Sequence, residues 1–261
     1  MTNLSLPVSP EVMLAQLELY VWPFLRLSAM MLVAPVFSSS SVTVRVRILL
    51  AVLIAALVTP LLPTAPSVDP LSSLGLILAA REVAIGLAMG FVMQLVFGAV
   101  VVAGHSIATS MGLGFAMSID PQNGVQVPVV SQFNVVLATL LFLAIDGHLM
   151  LLAAVFESFS VLPVTSAMPP AGLFSAVVGL GTQLFATALL LGLPAMTAIL
   201  MINVAFGVIT RAAPQLNIFA VGFPVTIIAG FVFMLLALPT FMSAMRRFLD
   251  QGLNQTLVIL G

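Results

Sequence analysis

The chain has 261 residues, of which 62% are apolar and only 6% charged, where a water-facing protein draws about a quarter of its residues from the charged set. Seven arginines, eight carboxylates and no lysine leave a net charge of −1, and the mean hydropathy is +1.28. This excludes a soluble enzyme, a nucleic-acid binder and a disordered tail, and points to an integral membrane protein or part of a membrane-embedded assembly. With no cysteine, there is no disulfide framework, thiolate nucleophile or Cys-ligated metal.

Taken in order, the first apolar run is Leu17 to Phe37, interrupted by Arg26. Glu11 and Glu18 precede that first basic residue, so the segment does not read as a secretory signal and is expected to be retained. Ser38 to Ser41 and the pair Arg45 and Arg47 end it. Ile48 to Leu62 follows, and its 15 residues are short against the roughly 20 a bilayer span needs. Pro60, Pro63, Pro66 and Pro70 then mark a loop. A third helix is expected from Leu71 to about Val102, carrying Arg81 and Glu82. A fourth helical region covers Val127 to about Val161, broken at Asp146-Gly147-His148 and closed by Pro163, Pro169 and Pro170.

The last third reads as two long apolar helices. One runs from about Ala171 to Ile209 around Pro194, the other from about Ile218 to Phe248 around Pro224 and Pro239. Interior prolines each remove a backbone hydrogen bond and bend a helix, which neighbouring helices can compensate in membranes. Straight, the first would reach roughly 58 Å, nearly twice the hydrocarbon thickness of roughly 30 Å. It must bend, split or project beyond the bilayer against protein. Arginine placement gives no single topology, because Arg211 and the pair Arg246 and Arg247 are separated by one apparent crossing. Either some segments are not ordinary spans, or a six-span protein breaks the charge rule at one loop.

Catalytic motifs are missing: no HExxH helix, no GxSxG turn and no GxxxxGK[ST] loop occurs. The two histidines, His105 and His148, lack paired-ligand spacing, so neither a metal nor a cofactor is expected. Glu82, Gly86, Gly90, Gln94 and Gly98 recur at every fourth position and form one slanting ridge on a helix. Such a ridge permits close helix approach, within this chain or against a partner. Arg26, Arg81, Glu82 and Glu157 lie in or beside apolar helices. A buried ion pair or snorkelling anchor is one reading, and a proton-coupling carboxylate is the other. Arg81 and Glu82, about 100° apart on a helix, are expected to take different partners.

The stretch from Gly104 to Gly124 carries four further features. Gly112-Leu113-Gly114 disfavours a stable helix. Met111, Leu113, Phe115, Met117 and Ile119 alternate as bulky apolar groups. Asp120-Pro121 and Asn123-Gly124 are turn signals, and Gly104, Gly112, Gly114 and Gly124 are candidate hinges. Such a loop cannot face lipid with its backbone donors unsatisfied. It is either a deformable hydrophobic seal, with Met111, Leu113, Phe115 and Met117 crowding a channel and Asp120-Pro121 anchoring it, or a buried connector.

Several stretches together resemble the FliR family of flagellar export-gate proteins. They are Arg81-Glu82-Val83-Ala84-Ile85-Gly86 with Gly90, the Gly- and Met-rich loop closing on Asp120-Pro121, Asp146-Gly147-His148, and Ala213-Pro214-Gln215-Leu216-Asn217-Ile218-Phe219-Ala220-Val221-Gly222-Phe223-Pro224. The virulence type III secretion homologue is the near alternative, and a carboxylate-coupled secondary transporter is the alternative from another class. The resemblance implies an all-α membrane-associated fold of long bent helices. It implies a FliP-like part over residues 1–170, with a plug loop at about 106–122, fused to a FliQ-like helical hairpin over 171–261. It implies a single copy joined to FliP-like and FliQ-like subunits in the bacterial inner membrane at the flagellar basal body. It implies a FlhB-like subunit wrapping the base and unfolded flagellar proteins passing through. No enzyme activity, cofactor, metal or nucleic acid is implied.

Overall fold

A computed structural model describes residues 10–62, 68–113, 129–164, 172–213 and 218–258. Among the described residues every regular element is a helix. In chain order these are α1 (Pro10–Val33), α2 (Val44–Val58), a 3-10 turn (Thr59–Leu61), α3 (Ser73–Ser110), α4 (Val129–Ala144), α5 (Gly147–Val161), α6 (Leu173–Ala212) and α7 (Ile218–Val258). The protein is an all-α membrane protein. Four helical stretches are long and apolar enough to cross a bilayer, or five when the broken pair α4 and α5 counts as one.

Several expected boundaries shift. Helix α1 begins at Pro10, and Arg26 lies inside it. Arg45 and Arg47 belong to α2 rather than to the loop before it. With the 3-10 turn, Val44–Leu61 makes an 18-residue stretch, so the second segment is longer than its apolar run. Helix α3 continues through Gly104 to Ser110 instead of ending near Val102. Helix α7 runs to Val258 rather than Phe248, with Arg246 and Arg247 exposed along it. Each extension carries polar or charged residues that an apolar-run criterion discards and that a helix tolerates when their side chains reach water or protein.

The break between α4 and α5 falls at Ile145 and Asp146, as the turn residues predict. Asp146 adopts a left-handed backbone with φ 56°, a conformation that Asp accepts more readily than most residues. Val36, between α1 and α2, holds φ 72°, unusual for a β-branched side chain. The turn around it is tied by the Ser38 N–H donating to the Ala34 carbonyl at 2.9 Å. The Arg47 Nε donates to the Phe37 carbonyl at 2.9 Å.

Two compact units alternate along the chain. The first comprises Met1–Gln94, His148–Val178 and Leu253–Gly261; the second comprises Leu95–Gly147 and Gly179–Gly252. In the first unit, Trp22, Leu27, Met30 and Met31 of α1 are fully buried together with Ile85, Met89 and Met93 of α3. In the second, Ile107, Ala108, Met111, Val130, Ala195 and Ile199 form a core cluster. Phe97 and Phe142 meet edge to face at 5.9 Å in the same unit.

Candidate functional site

Four polar or charged side chains in the first unit converge where α1, α3 and the end of α5 meet. Arg26, on α1, donates from Nε to Glu82 Oε2 at 2.7 Å. It also donates from Nη1 to Ser158 Oγ at 2.8 Å and from Nη2 to the Leu162 carbonyl at 3.0 Å. Its guanidinium carbon lies 3.9 Å from the centre of the Phe159 ring. Arg81 donates from Nη1 to Glu82 Oε1 at 2.9 Å and to the Pro163 carbonyl at 3.2 Å. Arg26 and Glu82 are wholly buried, and Arg81 is 2% exposed.

Two guanidinium groups share one carboxylate, so the cluster carries one surplus positive charge. The carbonyls of Leu162 and Pro163 follow directly after α5, where the negative end of a helix dipole favours cations. That placement offsets the surplus. Arg81 and Glu82 therefore pair with each other, contrary to the expectation of separate partners. Their long side chains bridge the angular offset, and Glu82 accepts from both arginines at once. Both carboxylate oxygens are engaged, which is the arrangement of a structural ion cluster. Glu157, the other carboxylate considered for proton coupling, is exposed.

The glycine ridge meets α1 closely. A methyl group at Gly86 would collide with the Arg26 carbonyl oxygen. One at Gly90 would lie 2.6 Å from the Met30 carbonyl oxygen and 3.1 Å from the Ala34 nitrogen. Backbone cannot yield as a side chain can, so glycine is required for this helix spacing. Further along α3, Gly98 faces only the tip of Leu184 at 3.1 Å. Gln94 is exposed on the chain by itself, so within the chain the five ridge positions do not share one environment.

In the second unit, the end of α3 leads into the segment read as a seal. The N–H of Leu113 donates to the Ala108 carbonyl at 3.0 Å, and that of Gly112 to the Thr109 carbonyl at 3.0 Å. With Gly112 at φ 84°, this is the paired-bond helix stop in which glycine takes the left-handed position. Gly112 is thus a bonded helix cap. Gly104 is not a loop hinge: it lies inside α3, where a methyl group would sit 2.5 Å from the Ser131 Cα. Ser131 Oγ donates to the Val101 carbonyl at 3.0 Å and draws α4 against this point.

Met111 is fully buried within the chain. Its side chain fills a notch in α7 at Gly230, where an added methyl would lie 2.6 Å from the Met111 Cγ. Thr226 Oγ1 donates to the Met111 carbonyl at 3.4 Å. Leu113 is half-buried against the same core cluster. Beside this root opens a cleft of about 470 Å³, lined by Ser110, Met196, Asn203, Phe206 and Phe223. Phe115, Met117, Asp120, Pro121, Gly114 and Gly124 lie outside the described residues. No cluster of His, Asp or Glu that could hold a metal occurs among the described residues.

Sequence reading missed Arg26 as the partner of Glu82. The signal available was a lone arginine within an apolar run, but its partner is 56 positions away and no periodicity links them. Residues 17–252 match the family of bacterial export proteins, family 1. The flagellar biosynthetic protein FliR of Escherichia coli (strain K12) is 40% identical over 90% of this chain and 89% of its own length. That of Pectobacterium carotovorum subsp. carotovorum is 41% identical over 84% of each. The FliR of Bacillus subtilis (strain 168) is 29% identical over 85% of this chain and 87% of its own. A match of this identity over nearly the whole chain, on a fold of long apolar helices, means that the chain belongs to the FliR family of flagellar biosynthetic export proteins.

Proposed function

We propose that this chain is the single-copy FliR-type subunit of a flagellar export gate. It joins FliP-like and FliQ-like subunits in the bacterial inner membrane at the basal body, with a FlhB-like subunit at the base. Unfolded flagellar proteins pass through the assembly. In this reading residues 1–170 are the FliP-like part, and α6 with α7 forms the FliQ-like hairpin within 171–261. The flagellar branch is favoured over the virulence branch because the relatives described above carry flagellar names.

The carrying observation is the length and bareness of α6 and α7. Their apolar stretches, Val177–Ala212 and Val221–Thr256, each have 36 residues, and in an 18-residue apolar window of each only 33% and 17% of the residues are buried within the chain. At 1.5 Å per residue each is roughly 54 Å long, against roughly 30 Å of hydrocarbon. Lipid alone cannot cover surfaces of that length, and partner helices can.

The segment at about 106–122 is the plug of this gate. Its apolar residues Leu113, Phe115 and Met117 form the seal, Asp120 and Pro121 hold its far end, and Met111 roots it on α7. A hydrophobic constriction stops ions by dewetting yet yields to a passing chain. The test is expression alone and together with FliP-like and FliQ-like partners in mild detergent. Alone, the chain should aggregate; with partners it should purify as one defined complex. A monodisperse, stable chain without partners would overturn the reading.

A further inference from the structure

In the second unit a buried amide faces a cavity beside Pro194 of α6. Asn134, on α4, is 2% exposed, and its Nδ2 has no hydrogen-bond partner among the described residues. It lines a cavity of about 30 Å³ together with Leu190, Leu191, Pro194, Ala195 and Phe241. Pro194 has no N–H, so the Leu190 carbonyl one turn earlier loses its helical donor. The same small space thus gathers a side-chain donor on α4 and a residue of α6 whose carbonyl lacks its usual bond. A buried polar group without a partner is costly, and roughly 10–15 Å³ of probe-occupied space admits one water.

We propose that this cavity is a hydration site, in which one or two ordered waters bridge the Asn134 amide to the Leu190 carbonyl. The site ties α4 to the turn of α6 that Pro194 leaves open. Asn134 is a positioning residue: through the water it satisfies the opened turn at Pro194. Apart from Thr240, the side chains lining the rest of the cavity are apolar. A direct amide–carbonyl bond is the competing arrangement, and it would need the cavity to close.

The experiment uses the full chain in its co-purified complex. X-ray hydroxyl-radical footprinting generates radicals from bound water, so side chains next to an internal water are oxidised despite being buried. Phe241 is expected to be labelled in the wild type and to lose labelling several-fold in Asn134→Leu, which fills the site with an apolar group. Asn134→Ser retains a donor and should keep most of the labelling. In Pro194→Ala the restored N–H satisfies the Leu190 carbonyl, and Asn134→Leu should then lower the melting temperature less than it does in the wild type. Should Asn134→Leu fail to assemble, a density map of the wild-type complex decides alone. Solvent density within hydrogen-bond distance of Asn134 Nδ2 and the Leu190 carbonyl supports the site. A collapsed cavity with the amide on the carbonyl, or unchanged Phe241 labelling in Asn134→Leu, overturns it.

Discussion

Arg26 and Glu82 meet at 2.7 Å with both side chains wholly buried, joining α1 to α3. Removing one member of a buried ion pair typically costs about 3–5 kcal/mol, because the other charge is left uncompensated. Here Glu82→Ala would strand two guanidinium groups. The complex is expected to lose most of its stability, read as a lowered melting temperature. Glu82→Gln keeps the shape and one acceptor, so its loss should be smaller and export should fall only modestly. A complex with Glu82→Gln that assembles normally but exports nothing would instead assign Glu82 a role in proton coupling.

Glycine substitutions along α3 should grade with what each new methyl meets. Gly86 and Gly90 face α1 backbone, whereas Gly98 faces the tip of Leu184. Gly90→Leu should therefore abolish assembly, and Gly86→Ala should cost about 1–3 kcal/mol or more through overpacking. Gly98→Ala should be nearly silent. Recovery of the purified complex measures all three, and equal recovery would remove close packing as the reason for the glycines.

The notch at Gly230 gives a paired test of the Met111 anchor. Gly230→Ala would force the Met111 side chain aside, at a cost of about 1–3 kcal/mol. Met111→Ala alone should cost about 2–5 kcal/mol through the cavity it leaves. Combined, the new methyl fills part of that space, and the double variant should be more stable than the sum of the single losses implies. Additive losses in thermal unfolding would mean that the two positions do not touch.

The plug proposal leads to an electrical measurement. Shortening the segment between Leu113 and Met117, which spares the Met111 anchor and the Gly112 cap, should leave the co-expressed complex intact but make the membrane leaky to small ions. Two engineered cysteines pinning the segment to the channel wall should stop export until they are reduced. A shortened complex that assembles normally with no added conductance would make the segment a connector and move the seal to partner subunits.

Composition and apolar run length determined the class, the all-helical architecture and the two overlong C-terminal helices. Those properties follow from local hydrophobicity summed over many residues, which burial in lipid or protein must satisfy. The break at Asp146 was legible for a similar local reason, since Asp followed by Gly marks a turn. Tertiary structure decided the rest. The partner of Glu82 lies on another helix, and long side chains bridge an offset that helical periodicity alone would keep apart. The end of α3 moved from Val102 to Ser110 because contacts with Ser131 and the core cluster hold Gly104 in a helix, outweighing its low intrinsic propensity. Met111 reads in sequence as one more apolar residue of a loop; only the notch at Gly230, 119 positions away along the chain, makes it an anchor. Packing between residues distant in sequence depends on helix spacing and shape, which no local pattern encodes.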